Sequence, residues 1–113
     1  MNNIAKKLLD LIAGTSAISY SEYEKARSGS GAVLIDVRSP AEFAESRLPE
    51  ALNIPLDVLP NRYETLGKDK KIVTICAHGV RSAKAAKFLS AKGYKVESLA
   101  GGMAAVPDKS KIK

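Results

Sequence analysis

Short apolar segments typical of buried β-strands alternate along the chain with segments that have the spacing and capping residues of helices. The apolar segments are rich in Val and Ile, whose branched side chains favour strands. Because strands that are joined through helices run parallel, this alternation predicts an α/β fold with a mainly parallel sheet. The predicted strands are residues 32–37, 51–54, 71–76 and 94–99.

The intervening segments carry recognisable helix signals. Ser21 and Ser39 each precede a Glu by three residues, which is the pattern of a capping box, and Pro40 suits a first helical position. A longer stretch after residue 81 has amphipathic spacing and is followed by Gly93, a typical C-cap. The predicted helices are residues 21–27, a helix that begins at Ser39, residues 56–66 with a break at Pro60, and residues 82–92.

Length and composition fit one compact domain. The 113 residues include 45% hydrophobic and 27% charged side chains, an ordinary globular balance that argues against disorder. We expect a single domain over residues 1–113 with its core at about 18–106, an amphipathic helix at about 3–13 and a frayed basic tail at 107–113. No stretch approaches the roughly 20 apolar residues of a membrane helix, so no membrane partner is expected.

Cys76 is the only cysteine, and the chain has a single histidine. An internal disulfide is therefore excluded, and few side chains remain to build a metal site. A lone cysteine fits a reducing compartment or a reactive thiol, so we expect a cytoplasmic protein without a metal. The net charge of +6 favours small anions in general. No recognition helix or zinc-finger spacing is visible, so no specific nucleic-acid partner is expected.

The loop between the third predicted strand and the long helix carries the candidate chemistry. Ligands of open α/β sheets bind at the carboxyl ends of strands, and a helix N-terminus favours negative charge. Gly79 allows successive N–H groups to turn inward, and Arg81 adds a fixed positive charge. Such surroundings lower the pKa of a cysteine; the alternative is a buried structural cysteine beside a plain turn. The predicted catalytic residue is Cys76, and the predicted substrate-binding residues are Ala77, His78, Gly79, Val80, Arg81 and Ser82.

Four motifs in order resemble those of the rhodanese family. The Cys-x-x-Gly-x-Arg-Ser stretch from Cys76 is similar to the active-site loop of that family. Residues 36–43 resemble its Asp-Val-Arg and Glu-Phe element, residues 51–55 its Asn-Ile-Pro element, and residues 99–102 its closing Gly-Gly. The resemblance implies a rhodanese-like fold, a central, mostly parallel five-stranded sheet flanked by helices.

The resemblance also implies a sulfurtransferase of the thiosulfate, or rhodanese, type. Cys76 would take sulfane sulfur from a small anionic donor such as thiosulfate and become a persulfide, and cyanide or a small or protein thiol would accept it. The N–H groups of residues 77–82 would hold the persulfide, and Arg81 would help to bind the donor. Asp36 and Arg38 would support the loop by hydrogen bonds or an ion pair. This covalent chemistry needs no cofactor.

Two other functions remain open. A cysteine-based phosphatase also builds an anion-binding loop between a Cys and an Arg, but with five residues between them rather than the four between Cys76 and Arg81. The shorter loop encloses a smaller pocket. A noncatalytic rhodanese-like binding or regulatory module is the other alternative, although such modules usually lack the cysteine. His78 is expected at the pocket rim, either in contact with substrate or simply solvated.

Overall fold

The computed structural model describes residues 16–113, and the helix expected over residues 3–13 lies outside this part of the chain. The centre of the described part is a sheet of five parallel strands in the order β1-β5-β4-β2-β3. The α/β fold with a five-stranded parallel sheet is thereby confirmed. The strands are β1 (Ser16–Ile18), β2 (Val33–Asp36), β3 (Leu52–Asn53), β4 (Ile72–Ile75) and β5 (Val96–Leu99).

Helices connect the strands and cover both faces of the sheet. No helix within residues 16–113 is long and apolar enough to cross a bilayer. The α-helices are α1 (Tyr20–Gly29), α2 (Pro40–Glu45), α3 (Leu59–Arg62) and α4 (Val80–Ala91), and the 3-10 helices are Tyr63–Thr65, Gly102–Ala105 and Asp108–Ser110.

The sheet divides the core into two layers, and its central strand β4 contributes side chains to both. Its side chains point alternately to opposite faces, as in any strand, and all four are buried. Ile72 packs with Leu89 of α4 on one face, and Val73 packs with Tyr23 of α1 on the other. Because both faces are covered, β4 is apolar except for the buried Thr74 and does not alternate with exposed polar residues.

Two helices begin at residues other than those predicted. The helix α1 starts at Tyr20 because Ser19, rather than Ser21, forms the capping box with Glu22. Ser19 Oγ accepts a 3.1 Å hydrogen bond from the Glu22 N–H. The helix α4 starts two residues before the predicted Ser82, since Gly79 takes a left-handed φ of 109° and becomes the N-cap. Arg81 and Ser82 therefore lie in the first turn of α4.

The ends of the described chain also differ from the predictions. The strand β1 was not recognised from its residues, because three residues are too few to show a pattern; it pairs with β5 at the edge of the sheet. The tail is not frayed at Ile112, whose N–H and C=O both exchange 2.8 Å hydrogen bonds with Arg47. Pro60 does not interrupt a long helix but lies in the first turn of the short helix α3.

The strand order creates a crevice between β2 and β4. The connection from β2 leads outward to β3 on one side, and the connection from β4 leads outward to β5 on the other. The two loops that leave the carboxyl ends of these neighbouring strands therefore separate, which is the arrangement at which open α/β sheets bind ligands. Cys76 follows β4 directly, so it lies at this crevice.

Candidate active site

The sulfur of Cys76 lies inside the loop that joins β4 to α4. Sγ accepts hydrogen bonds from the N–H of Gly79 at 3.1 Å and from the N–H of Ser82 at 3.3 Å. The hydroxyl oxygen of Ser82 is 3.4 Å from Sγ. Cys76 is only 1% exposed. The loop and the first turn of α4 therefore surround the sulfur with donors suited to a negative charge.

These donors determine the protonation of the thiol. Burial by itself raises the pKa of Cys76, because a thiolate loses hydration inside the protein. Hydrogen bonds from the Ser82 hydroxyl and from the N–H groups of Ser82, Gly79 and His78 oppose burial and bring the pKa below its ordinary value. The arrangement favours a thiolate, the nucleophilic form of cysteine.

A buried chain of hydroxyl groups continues from the sulfur into the sheet. Ser82 Oγ lies 2.8 Å from Ser98 Oγ, and Ser98 lies on β5. The Thr74 hydroxyl on β4 donates to the Ser82 carbonyl at 2.8 Å. A serine hydroxyl has one proton, so Ser82 can donate to the sulfur while Ser98 donates to Ser82. While Cys76 is a thiol, its S–H can donate to Ser82 Oγ and the Ser82 hydroxyl donates to the Gly79 carbonyl at 3.2 Å. When Cys76 is a thiolate, the Ser82 hydroxyl can turn to donate to the sulfur instead.

The 3-10 helix after β5 fixes the outer side of the loop. The Met103 N–H donates to the Cys76 carbonyl at 2.8 Å, and the Ala104 N–H donates to the Ala77 carbonyl at 3.1 Å. With these carbonyls engaged outward, the following N–H groups can face the sulfur. A Cβ on Gly102 would lie 2.3 Å from the Cys76 carbonyl oxygen, so only glycine fits there. The Gly-Gly pair after the last strand is the sequence signal of this contact, although the sequence alone does not predict that Gly102 packs against the cysteine loop.

Arg81 is paired with a carboxylate rather than left free. Its guanidinium makes two hydrogen bonds to Glu42, at 2.7 and 2.9 Å. The hydrogen bonds from Arg81, with help from Ser39 and against partial burial, lower the pKa of Glu42 to about 2. The sequence predicts Glu42 in a helix cap and in the Glu-Phe element, but not as the partner of Arg81, which lies 39 residues away in sequence. The ion pair joins the first turns of α2 and α4 across the crevice.

Asp36 and Arg38 form a buried ion pair behind the crevice. Arg38 Nη2 lies 2.8 Å from Asp36 Oδ2 and donates to the Ser46 carbonyl at 2.6 Å. Arg38 also donates to the Glu42 carbonyl at 3.3 Å, so the pair holds the end of α2. The structure places Asp36 and Arg38 behind α2, and their connection to the cysteine loop runs through Glu42 and Arg81.

The remaining predicted residues form the outer surface of the loop. The side chains of His78 and Val80 are exposed, and both line a groove beside α4. Ala77 is half-buried, and its carbonyl is held by Ala104. Within residues 16–113, no group of three or more His, Cys, Asp or Glu side chains could hold a metal ion.

A buried cysteine that receives loop N–H donors at the carboxyl end of a central parallel strand has surroundings suited to an anionic sulfur. The family profile described as "Rhodanese-like domain" matches residues 19–109. The chain belongs to the rhodanese-like domain family.

Relatives and solved structures agree with this assignment. YtwF of Bacillus subtilis, which carries a sulfurtransferase name, is 40% identical over 90 residues, 80% of this chain and 87% of the relative. A protein of Allochromatium vinosum named sulfurtransferase is 39% identical over 74 residues, 65% of this chain and 69% of the relative. The crystal structure of a rhodanese-like domain protein from Staphylococcus aureus has a TM-score of 0.78 and 32% identity, and the match covers 85% and 95% of the two chains.

Replacing Gly102 by Ala is expected to damage the loop through the backbone. The new Cβ would overlap the Cys76 carbonyl, and the left-handed φ of 60° is itself strained for alanine. We expect the free energy of unfolding in urea to fall by more than ~1 kcal/mol. Gly29→Ala is the control, because that position has open space and belongs to α1. Equal stability of the two variants would contradict the proposed role of Gly102.

Replacing Ser82 by Ala is expected to raise the pKa of Cys76, because the thiolate loses a hydroxyl donor while the backbone N–H donors remain. The rate of alkylation by iodoacetamide should therefore fall severalfold at neutral pH and recover at high pH, where the thiol is fully ionised. Ser90→Ala, at an exposed position of the same helix, should leave the pH profile unchanged. Identical profiles for Ser82→Ala and the wild-type protein would show that the hydroxyl does not stabilise the thiolate.

Proposed function

We propose that this protein is a sulfurtransferase that carries sulfane sulfur as a persulfide on Cys76. The observation that supports this proposal best is the convergence of the Gly79 and Ser82 N–H groups on the sulfur, at 3.1 and 3.3 Å. These donors can hold a negative sulfur without any metal. The sulfurtransferase names of the two relatives point to the same chemistry.

The donor in this proposal is thiosulfate or a similar small anion. The Cys76 thiolate attacks the outer sulfur of thiosulfate, a new S–S bond forms, and the original S–S bond of thiosulfate breaks. Its bonding electrons leave with sulfite, and the terminal sulfur of the Cys76 persulfide carries one negative charge. The positive end of α4 and the N–H groups of the loop would attract the anionic donor, whereas the guanidinium of Arg81 is held by Glu42.

The acceptor in this proposal is cyanide or a thiol. Cyanide attacks the outer sulfur of the persulfide, thiocyanate forms, and the electrons of the broken S–S bond return to Cys76 as thiolate. The cycle therefore restores the starting enzyme and consumes no oxidant. A reducing compartment such as the cytoplasm suits this chemistry, since Cys76 has to remain a free thiol.

The Arg81–Glu42 ion pair also bears on the phosphatase alternative. A phosphatase of the cysteine type would need its arginine on the phosphoryl oxygens, whereas Arg81 makes two hydrogen bonds to Glu42. The loop also has only four residues between Cys76 and Arg81. Both observations favour a small sulfur substituent over a tetrahedral phosphoryl group.

Incubation with thiosulfate followed by intact-mass measurement tests the proposed function. The wild-type protein should gain the mass of one sulfur atom, and added cyanide should remove that mass with release of thiocyanate in equal amount. Cys76→Ser should gain nothing, because it is the matched variant without the nucleophile.

The absence of a sulfur adduct with thiosulfate and with a second donor, mercaptopyruvate, would contradict the proposal. Hydrolysis of an aryl phosphate that depends on Cys76 would then favour the phosphatase alternative. Inactivity towards all of these compounds would favour a noncatalytic binding module.

A further inference from the structure

A groove with a volume of about 380 Å³ lies between α4 and the end of β5. This volume is within the range of small-molecule sites in proteins. The groove shares its wall with the cysteine loop, because His78, Gly79 and Val80 line both. We propose that this groove, which we name the α4–β5 groove, binds the body of the acceptor, and that the acceptor is an organic thiol with an apolar arm and a negative charge. The proposal rests on the sulfur transfer proposed for Cys76.

The walls of the α4–β5 groove are mainly apolar. Val80 is 66% exposed, the highest value among the large hydrophobic side chains that the described residues expose. Ala83 and Ala100, both half-buried, add further apolar surface. Covering such a surface with the carbon atoms of a ligand is favourable. Thiosulfate has no carbon atoms, so an apolar groove suits the acceptor better than that donor.

Two lysines give the groove its charge. Lys84 and Lys87 of α4 both line it and are exposed. Neither forms an ion pair within residues 16–113, and no Asp or Glu lines the groove. A carboxylate or phosphate on the ligand would therefore meet positive potential that no described carboxylate neutralises.

The opposite flank of the loop is less suited to an anion. A second pocket of about 420 Å³ lies on that side, lined by Asp57 and Arg81 among others. The charge of Arg81 is already balanced by Glu42, and Asp57 repels an anion. The unpaired positive charge beside the loop is therefore on the side of the α4–β5 groove.

The groove adjoins residues that contact the sulfur, although Cys76 itself is buried and does not line it. Gly79 lines the groove, and its N–H is 3.1 Å from Cys76 Sγ. Ser98 also lines the groove, and its hydroxyl is 2.8 Å from Ser82 Oγ, which is 3.4 Å from Sγ. The outer sulfur of a persulfide lies a further ~2.05 Å from Sγ. In this proposal a thiol on a short arm reaches past Gly79 to the outer sulfur while the rest of the molecule stays in the groove.

The transfer step balances without a further reagent. The acceptor thiol passes its proton to the outer sulfur of the Cys76 persulfide, and the resulting thiolate attacks that sulfur to form a new S–S bond. The S–S bond to Cys76 breaks, and its electron pair remains on Cys76 as thiolate. The proton stays on the outer sulfur, which leaves as the hydropersulfide of the acceptor.

The experiment uses protein that has been loaded with sulfur from thiosulfate, with loading verified by intact mass. Loaded protein is then mixed with para-mercaptophenylacetate or with its uncharged amide, two acceptors with the same body and similar thiol acidity. We compare the wild-type protein with the double variant Lys84→Gln/Lys87→Gln. The control is Lys25→Gln/Lys95→Gln, which changes the net charge equally at two exposed positions that do not line the groove.

We expect the groove variant to transfer sulfur to the carboxylate acceptor about fivefold to tenfold more slowly, since two nearby charges are lost. Its rate with the amide should change less than twofold, and the control variant should match the wild-type protein with both acceptors. Val80→Ser should raise the KM of both acceptors severalfold, because both present the same ring to the groove.

An equal loss of transfer rate with the acid and the amide, or an equal loss in the control variant, would overturn the proposal that the groove binds a small thiol. The alternative occupant would then be a protein partner or a second copy of the chain. A Val80→Ser variant that lowers kcat with KM unchanged would also overturn the proposal. Failure of thiosulfate to load Cys76 would instead contradict the proposed function, so the two failures are distinguishable.

Discussion

The hydrogen bonds from the Gly79 and Ser82 N–H groups to Cys76 Sγ depend on the turn between β4 and α4. That turn is possible because Gly79 takes a left-handed φ of 109° and lets α4 begin at the next residue, Val80. The central position of β4 fixes one end of the turn, and the 3-10 helix that begins at Gly102 holds the Cys76 carbonyl from outside. The reactivity of a single sulfur therefore depends on three separate elements of the fold.

Two ion pairs connect the elements on the other side of the same crevice. Arg38 is bound to Asp36 and to the end of α2, and Glu42 in the first turn of α2 binds Arg81 at the start of α4. The loops from β2 and β4 are thereby tied together where the strand order makes them diverge. Glu42 has a pKa of about 2, so the stabilisation from this ion pair is complete above the ordinary pKa of a glutamate and is lost as the pH falls towards 2. The pair is half-exposed, so its contribution to stability is modest.

The local features of the chain could be predicted from sequence, whereas the long-range ones could not. An apolar run predicts the strand at 72–75, and helical spacing predicts the helix at 80–91. The cysteine loop between them could be predicted because it is contiguous in sequence. The predicted start of α1 is wrong because two overlapping capping-box patterns, from Ser19 and from Ser21, look alike in the sequence. The contacts of Glu42, Ser98 and Gly102 with the loop join distant parts of the chain, and no local pattern encodes such contacts.

The central claim is that the folded loop stabilises the thiolate of Cys76. The most direct measurement is a titration of thiolate ultraviolet absorbance in the folded protein and in urea-unfolded protein, with Cys76→Ser subtracted to remove the tyrosines. Because the chain has one cysteine, the difference signal reports a single group. The account predicts a midpoint at lower pH in the folded protein than in the unfolded chain. An equal or higher midpoint in the folded protein would show that burial outweighs the hydrogen bonds and would contradict the account.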